Sequence, residues 1–448
     1  LIQSYEEFTK YVPLIEYADI ATYIDQIKQK TSNVLWPGIT DKFAVSSGTT
    51  GQGKHLPITR DRVKADLRFM RSVVWDLLRK SDFRIFGGTH LSIVGSLEKT
   101  NQYEIGEISA ILASSSPKWI RFMQYPDPYT SIYEPWGDRF ETILQTALER
   151  DIRVISGVPS WIFVLFKEVV KRSGKSIEQL WPNLHLIITG GVALSAYIEI
   201  LTSYLGSLQP AFYENYGASE GYYAHGWFDQ GWMGLKYDHG IFYEFIPKEE
   251  AGRTSSSPLV LPLWEVEPKV TYQLVVSHFG LWRYKTNDLI EFKAPTISSS
   301  IHPSIPSPTP TLRIIGRANE MTDDYGEALS ADEARKALQS ITALPTPRHL
   351  HVKSTWHLTD DLPYHEWIMV YDDSSLLFSG EEPYLQAVAT KIDEWICDHN
   401  RHYAMRRQAG VLGAPKLTVY DMEAYTRLLA SLPKAQSKLP FFIKMPQA

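Results

Sequence analysis

The segment "AVSSGTTGQGKH" (44–55) sets Ser46, Ser47, Thr49 and Thr50 among Gly48, Gly51 and Gly53, just ahead of Lys54. Those residue types suit a polyphosphate. Hydroxyls donate to phosphate oxygens, glycines let backbone amides come close, and an ammonium offsets charge. Gly48, four residues, then Gly53 and Lys54 also make up most of a P-loop. His55, however, stands where that motif needs a Mg²⁺-binding hydroxyl, and Pro57 opposes a helix starting at the lysine. A phosphate-binding loop of another kind is therefore expected, with a plain flexible turn as the alternative.

Such residues need elements to hold them. Val63, Leu67, Met70, Val74, Leu77 and Leu78 fall on one helical face, so the opening reads as strand (43–45), loop, then amphipathic helix from near Thr59 or Asp61. Pro159 opens a second helix that stops before Gly174. "LHLIIT" (184–189) is a buried strand ending at Gly190–Gly191, and "AFYENY" (211–216) is another, ended by a turn at Gly217. Four β-like runs, "IFYEFI", "YQLVVS", "LWRY" and "LIEF", fill 241–293; a Pro- and Ser-rich insertion covers 295–311, and "LRIIGR" resumes as a strand. Beyond it, helices at 331–341, 383–399 and 421–430 alternate with strands near 349–355, 366–371 and 417–420. The expected fold class is α/β: a large N-terminal α/β domain with a β-subdomain over 1–316, then a small C-terminal α+β domain over 317–448.

The 448 residues are 44% hydrophobic and 21% charged, with net charge −6, the profile of an ordinary globular protein. That balance argues against a surface devoted to nucleic acid, which demands clustered Lys and Arg. No apolar run reaches the roughly 18 residues of a membrane span, and no signal peptide is visible. Cys397 is the one cysteine, so the chain has neither an internal disulfide nor a cysteine-based zinc site, and a reducing cytoplasm is the expected location. "HLH" (349–351) sets two imidazoles on one strand face without a third ligand nearby, so surface histidines are expected there.

Five segments in order carry a resemblance. "SSGTTGQGK" (46–54), "TGGVALS" (189–195), "YGASEG" (216–221), "YKTND" (284–288) and "GRANEMTDDYGEALSADE" (316–333) resemble the motifs of the adenylate-forming, acyl-activating superfamily. Two positions depart from the pattern: Ser219 replaces Thr, and Asn287 replaces Gly. "YEEFTKYVPLIEY" (5–17), "NVLWPGITDKFAVSSGTTG" (33–51), "EVEPKVTYQLVVSHFGLWRYKTNDLIEF" (265–292) and "SKLP" (437–440) resemble the acyl acid amido synthetases first known as auxin-responsive, whose features bacterial chains share.

The resemblance implies ATP and Mg²⁺ as cofactors. Ser46, Ser47, Thr49, Thr50 and Lys54 would hold the outer phosphates, and Glu220 would offer Mg²⁺ a hard oxygen. Tyr216 would stack on adenine beside Gly217, Ala218 and Ser219, while Gly190, Gly191 and Val192 would bring bare backbone to the base. Asp288 would take both ribose hydroxyls, with Asn287 tolerating a left-handed turn, and Arg317 would reach the ribose or a phosphate at the domain hinge. Lys438, or else Lys434, would be the catalytic lysine of the small lid domain. Val158 and Trp161, in "GVPSW", would line the acid's site. The implied activity joins a small carboxylic acid to an amine, an amino acid above all, through an acyl-AMP. An acid–CoA ligase, or acyl transfer to a carrier, is the alternative within the class. A nucleotide-binding regulator without catalysis is the alternative outside it.

Overall fold

The computed structural model describes residues 2–46, 54–80, 83–116, 124–251, 258–293, 310–317, 321–341, 344–356, 362–371, 382–421, 424–425, 427–428 and 442–443. The chain forms two compact units. Among the described residues, the larger holds those up to Leu194 and from Leu201 to Arg317, and the smaller holds Ser195–Ile200 and those from Met321 onward.

In the larger unit the described strands build a 12-stranded sheet. Its first part is parallel: Gln124–Tyr125, Thr89–Ser92, Ile152–Gly157, Leu186–Gly190 and Ala211–Ala218 lie side by side in that order. From there the sheet turns antiparallel through Gly221–Trp227, Met233–Leu235, Thr311–Arg317, Leu281–Phe292, Thr271–His278, Phe242–Pro247 and Leu261–Pro262. A four-stranded sheet, Lys54–Pro57, Lys42–Ser46, Glu104–Gly106 and Leu97–Lys99, accompanies it. The parallel strands alternate with helices such as Pro159–Ser173, which has its proline in the first turn and Gly174 as its left-handed C-cap.

Several expectations shift. The glycine-rich loop does not lead straight into a helix. Lys54–Pro57 is a strand whose Lys54 pairs with Ser46 and whose Pro57 pairs with Phe43, and the helix Arg60–Lys80 follows. Leu56 holds that strand in place, buried in the same core cluster as Phe43. A P-loop runs from strand to helix, so this geometry removes that reading. The buried face of Arg60–Lys80 is also rotated from the expected one. It carries Arg62, Ala65, Asp66, Phe69, Val73 and Leu77, while Val63, Leu67, Met70, Val74 and Leu78 are only partly covered. An ion pair lies on that face, which apolar periodicity cannot reveal.

Strand 211–216 runs on to Ala218 because Gly217 pairs with Tyr222, and the turn is Ser219–Glu220. A Cβ on Gly217 would lie 2.5 Å from the Tyr222 ring, so the hairpin admits no side chain there. "LWRY" and "LIEF" are one strand, Leu281–Phe292, broken by a bulge in which Thr286, Asn287 and Asp288 oppose Leu274 alone. The Thr286 hydroxyl donates to Leu274 O at 2.8 Å, and Gln273 Nε2 donates to Thr286 O at 2.6 Å, closing the bulge. Asn287 is not among the residues of positive φ, so no left-handed turn is needed there.

The smaller unit has a sheet ordered Lys416–Asp421, Tyr364–Tyr371, His349–Thr355 and Phe442–Ile443, with helices Ala331–Gln339, Glu382–His399 and Arg401–Gln408. Ser330 and Glu333 cap the first helix reciprocally. The expected surface histidines are not both at the surface. His351 is buried, and its Nε2 meets the Tyr425 hydroxyl at 2.9 Å, because the strand face carrying it packs under that tyrosine. The helix expected at 421–430 falls largely outside the described residues.

Candidate active site

The carboxyl ends of Leu186–Gly190 and Ala211–Ala218 lie side by side, Gly190 opposite Asn215. In an open α/β sheet such ends face the ligand crevice. A Cβ on Gly190 would lie 2.9 Å from the Asn215 carbonyl oxygen, and Gly191 holds φ at +82°. Both positions therefore favour glycine, leaving bare backbone at the strand end. Val192 follows, partly exposed. Val158, which precedes the helix Pro159–Ser173, comes within 3.5 Å of where a Gly191 Cβ would be. Trp161, one turn on, is 5% exposed and packs against Phe140, as a core residue does.

One strand further, the Tyr216 ring is buried and its hydroxyl donates to Asp288 Oδ2 at 2.6 Å. Burial first, then the Asp288 carboxylate, raises the Tyr216 phenol well above its ordinary range, so it stays a donor. Tyr223 meets the same ring edge-on, with centroids 5.0 Å apart. Asp288 also faces Arg317, its cross-strand neighbour, Oδ1 to Nε at 3.7 Å. The bulge at 286–288 is what places Asp288 here.

Glu220 occupies the tight turn after Ala218. Burial pushes its carboxyl up, Asp288 adds to that, and Lys54 and Arg317 pull it down; the net shift is upward. Residues 54, 288 and 317, scattered through the sequence, thus act on one carboxylate, that of Glu220. Ser219, beside it, donates to Val45 O at 3.1 Å and so ties the turn to the strand that precedes the glycine-rich loop. Ser219 thus carries, in place of the Thr of the motif, a hydroxyl of the same donor type. Lys54 sits over the Tyr17 ring at 5.9 Å, and Tyr17 Oη accepts the His55 N–H at 3.1 Å.

Ser46 closes its strand by pairing with Lys54. Ser47, Thr49 and Thr50 lie outside the described residues, as do Lys434 and Lys438. A carboxylate held partly out of water beside two cations and a second acid suits a hard divalent ion. No group of three or more His, Cys, Asp or Glu capable of holding a metal occurs among the described residues. Mg²⁺ commonly takes one or two carboxylates and completes its shell with phosphates and water, so a single acid such as Glu220 fits that pattern.

Four polar residues were not singled out by sequence. Arg62 Nε bonds Asp66 Oδ1 and Oδ2 at 3.0 and 2.9 Å, its Nη1 donates to Glu220 O, and His278 Nε2 meets the same carbonyl at 2.6 Å. Glu214, 5% exposed, takes the Leu194 N–H at 3.2 Å and so braces the "GGVAL" loop from below, while its Oε2 has no hydrogen-bond partner. Burial pushes Glu214 up to about 7 against the opposing pull of that amide. The i, i+4 spacing of Arg62 and Asp66 beside Phe69 and Val73 was the available signal for a buried pair; Glu214 and His278 carried none.

Solved structures share this fold along nearly the whole chain. The GH3.15 acyl acid amido synthetase aligns at 16% identity over 98% of this chain and 85% of its own, with TM-score 0.57. The AtGH3.15 acyl acid amido synthetase in complex with 2,4-DB aligns at 17% over 99% and 87%, with TM-score 0.58. The 2-hydroxyisobutyryl-CoA ligase in complex with 2-HIB-AMP and CoA aligns at 15% over 99% and 82%, also with TM-score 0.58. No curated protein sequence matches the chain. The GH3 family N-terminal domain matches residues 1–167 and the GH3 family central domain matches 234–299, together just over half of the 448 residues, and the protein belongs to the GH3 family.

Proposed function

We propose that this protein is an ATP-dependent ligase that activates a carboxylic acid as acyl-AMP and passes the acyl group to an amine, an amino acid above all. The observation that carries this reading is the Tyr216–Asp288–Arg317 cluster, with contacts of 2.6 and 3.7 Å, at the strand end that leads into the Glu220 turn. In the first half-reaction a carboxylate oxygen attacks the α-phosphorus of ATP and pyrophosphate leaves. In the second, the amine nitrogen attacks the acyl carbonyl, AMP leaves with the bonding pair, and the amine proton goes to solvent. Hydroxide or oxide leaves a carboxylate badly, and AMP leaves well. What the protein must supply is position and charge neutralisation.

On this reading Lys54 and Ser46, with Ser47, Thr49 and Thr50, hold the outer phosphates. Glu220 would hold Mg²⁺, which neutralises phosphate charge when bound. Asp288 takes the ribose hydroxyls, fixed by Tyr216 and Arg317, and Tyr216 with the backbone from Gly217 to Ser219 borders the base, with Gly190, Gly191 and Val192 across from it. Val158 borders the acid. Lys438 is assigned the catalytic lysine's part, on its motif alone.

An amine acceptor is favoured over CoA by the smaller unit's own charges. CoA needs a cation for its 3′-phosphate, and "MRRQ" (405–408) is the obvious basic run. Arg406 Nε is spent on Tyr325 O at 3.1 Å, and Arg407 makes two bonds of 2.7 Å to Asp393. Burial and Asp393 push the Cys397 thiol up to about 11, so it is no thiolate near neutral pH.

The test is acid-dependent exchange of labelled pyrophosphate into ATP over a panel of acids, with amino acids, hydroxylamine or CoA then added as acceptors. AMP as the spent nucleotide and an amide product are expected. ADP and orthophosphate, or no exchange with any acid, would sink the proposal; a thioester alone would move the protein to the CoA branch.

A further inference from the structure

The Glu220 side chain is the one the proposed reaction leans on, yet the hydrogen bonds that reach this residue from Arg62 and His278 are to its main chain. Two donors from distant elements converge on the Glu220 carbonyl oxygen: Arg62 Nη1, from the first turn of the helix Arg60–Lys80, and His278 Nε2, from the end of the strand Thr271–His278, at 2.6 Å. A carbonyl only accepts, so His278 Nε2 carries the hydrogen. Its other ring nitrogen, Nδ1, is buried without a hydrogen-bond partner.

The donors are themselves held. Arg62 and Asp66 are each 1% exposed, and Asp66 grips the guanidinium through Nε alone, leaving Nη1 to reach the turn. Thr59 caps the same helix, taking the Arg62 N–H at 3.2 Å and donating to Phe279 O at 3.4 Å, so the helix start and the His278 turn are locked together. Burial pushes Asp66 upward in spite of Arg62, and Arg62 Nη2 is left without a hydrogen-bond partner. A buried pair so incompletely satisfied is a weak stability device, and its worth is better sought in what it orients. What it orients is a two-residue turn. Ser219 anchors one half of that turn to Val45, and the convergent pair anchors the other.

We infer that Arg62 and His278 are positioning residues for Glu220, fixing the backbone from which its carboxylate meets the divalent ion and the nucleotide phosphates. The inference rests on the proposed role of Glu220 as the ion's ligand. Groups behind a metal-binding side chain commonly change metal affinity by about 10- to 100-fold when removed.

The decisive variants are His278→Gln and His278→Asn. Gln carries its amide donor to where Nε2 stood, and Asn places it a bond short, at the Nδ1 position. Both are polar and of similar bulk, so a purely structural role would not separate them. Mn²⁺ is the probe, its free fraction followed by electron paramagnetic resonance in titrations of the protein with ATP, alongside pyrophosphate exchange and thermal melting. His278→Asn is expected to raise the Mn²⁺ concentration for half-saturation about tenfold, and His278→Gln to stay within about twofold of the parent. The double variant Arg62→Leu/Asp66→Leu, which strands neither charge, is expected to resemble His278→Asn. If Asn and Gln behave alike, whether both match the parent or both lose affinity equally, the inference is overturned. If the parent shows no exchange with any acid but the Mn²⁺ pattern holds, the reading of the reaction falls and the positioning role stands. If the parent exchanges and the folded variants bind Mn²⁺ as it does, the reverse is true.

Discussion

The ends proposed to take the nucleotide and the acid come together at Gly191, yet they are built from opposite materials. On one side Glu220, Asp288, Arg317, Lys54 and the Tyr216 hydroxyl form a polar, charged group drawn from four separate stretches of chain. On the other, Val158 opens a helix whose first turns, Trp161 to Phe166, are buried apolar side chains following one another in sequence. The contrast matches what each end is proposed to bind. Phosphates and ribose present the same hydrogen-bonding demands in every turnover, and only fixed charges satisfy them. The body of an organic acid is read by shape and apolar area, which one short segment can supply and vary without disturbing the charges.

Four measurements would break or sharpen that contrast, the first two at its poles. At the charged end, Glu220→Ala and Asp288→Ala should each lower pyrophosphate exchange by about 10³-fold with every acid tested, in protein that still melts cooperatively. Retained exchange in either would show that the charged group is misassigned. At the apolar end, Trp161→Ala should leave a cavity beneath Phe140 and destabilise the fold by about 3–5 kcal/mol in denaturant titrations, with much less effect on exchange per folded molecule. A selective loss of one acid's exchange without loss of stability would instead make Trp161 a pocket residue.

Glu214 lies under the loop between the two ends, and pH is the lever on it. Its folded carboxyl sits at about 7, above the ordinary 4.5, so the folded state keeps a proton that the unfolded chain releases. That contribution is present below the unfolded value and is lost as pH rises through the folded one, lowering stability by on the order of 2–3 kcal/mol between about pH 4.5 and 7.5. Glu214→Gln mimics the neutral acid and should flatten this slope; an unchanged slope would mean the carboxyl is not the titrating group. The smallest effect is expected at Val158. Val158→Leu adds a methylene beside Gly191 and should raise KM for the bulkier acids about tenfold, with KM for ATP unchanged. Equal shifts in both would erase the division between the two ends.

Much of the scaffold was legible. Local signals set the helix after Pro159 with its stop at Gly174, the strand ending at Gly190–Gly191 and the β-rich stretch from 241, because caps, glycines and short-range periodicity act within a few residues. Lys54–Pro57 was read as loop because strand pairing with Lys42–Ser46 is non-local. The buried face of Arg60–Lys80 was misjudged because two charges that neutralise each other are invisible to a count of apolar residues. Asn287 looked like a strained turn and proved to be part of a bulge, a feature that needs the partner strand to exist.

The sequence by itself determined which groups are present and in what order: the hydroxyls and glycines before Lys54, the acids at 220 and 288, the bare backbone at 190–191. Their chemistry is intrinsic to the side chain and survives any fold. Only the tertiary structure decided that Tyr216 donates to Asp288, that Lys54 and Arg317 bear on Glu220, and that Arg62 and His278 grip the carbonyl behind it. Where hydrogen bonds make them, those contacts span 58 to 158 residues of chain. Whether a hydrogen bond or a charge pair forms is settled by distances of a few ångströms, which no pattern along the chain encodes.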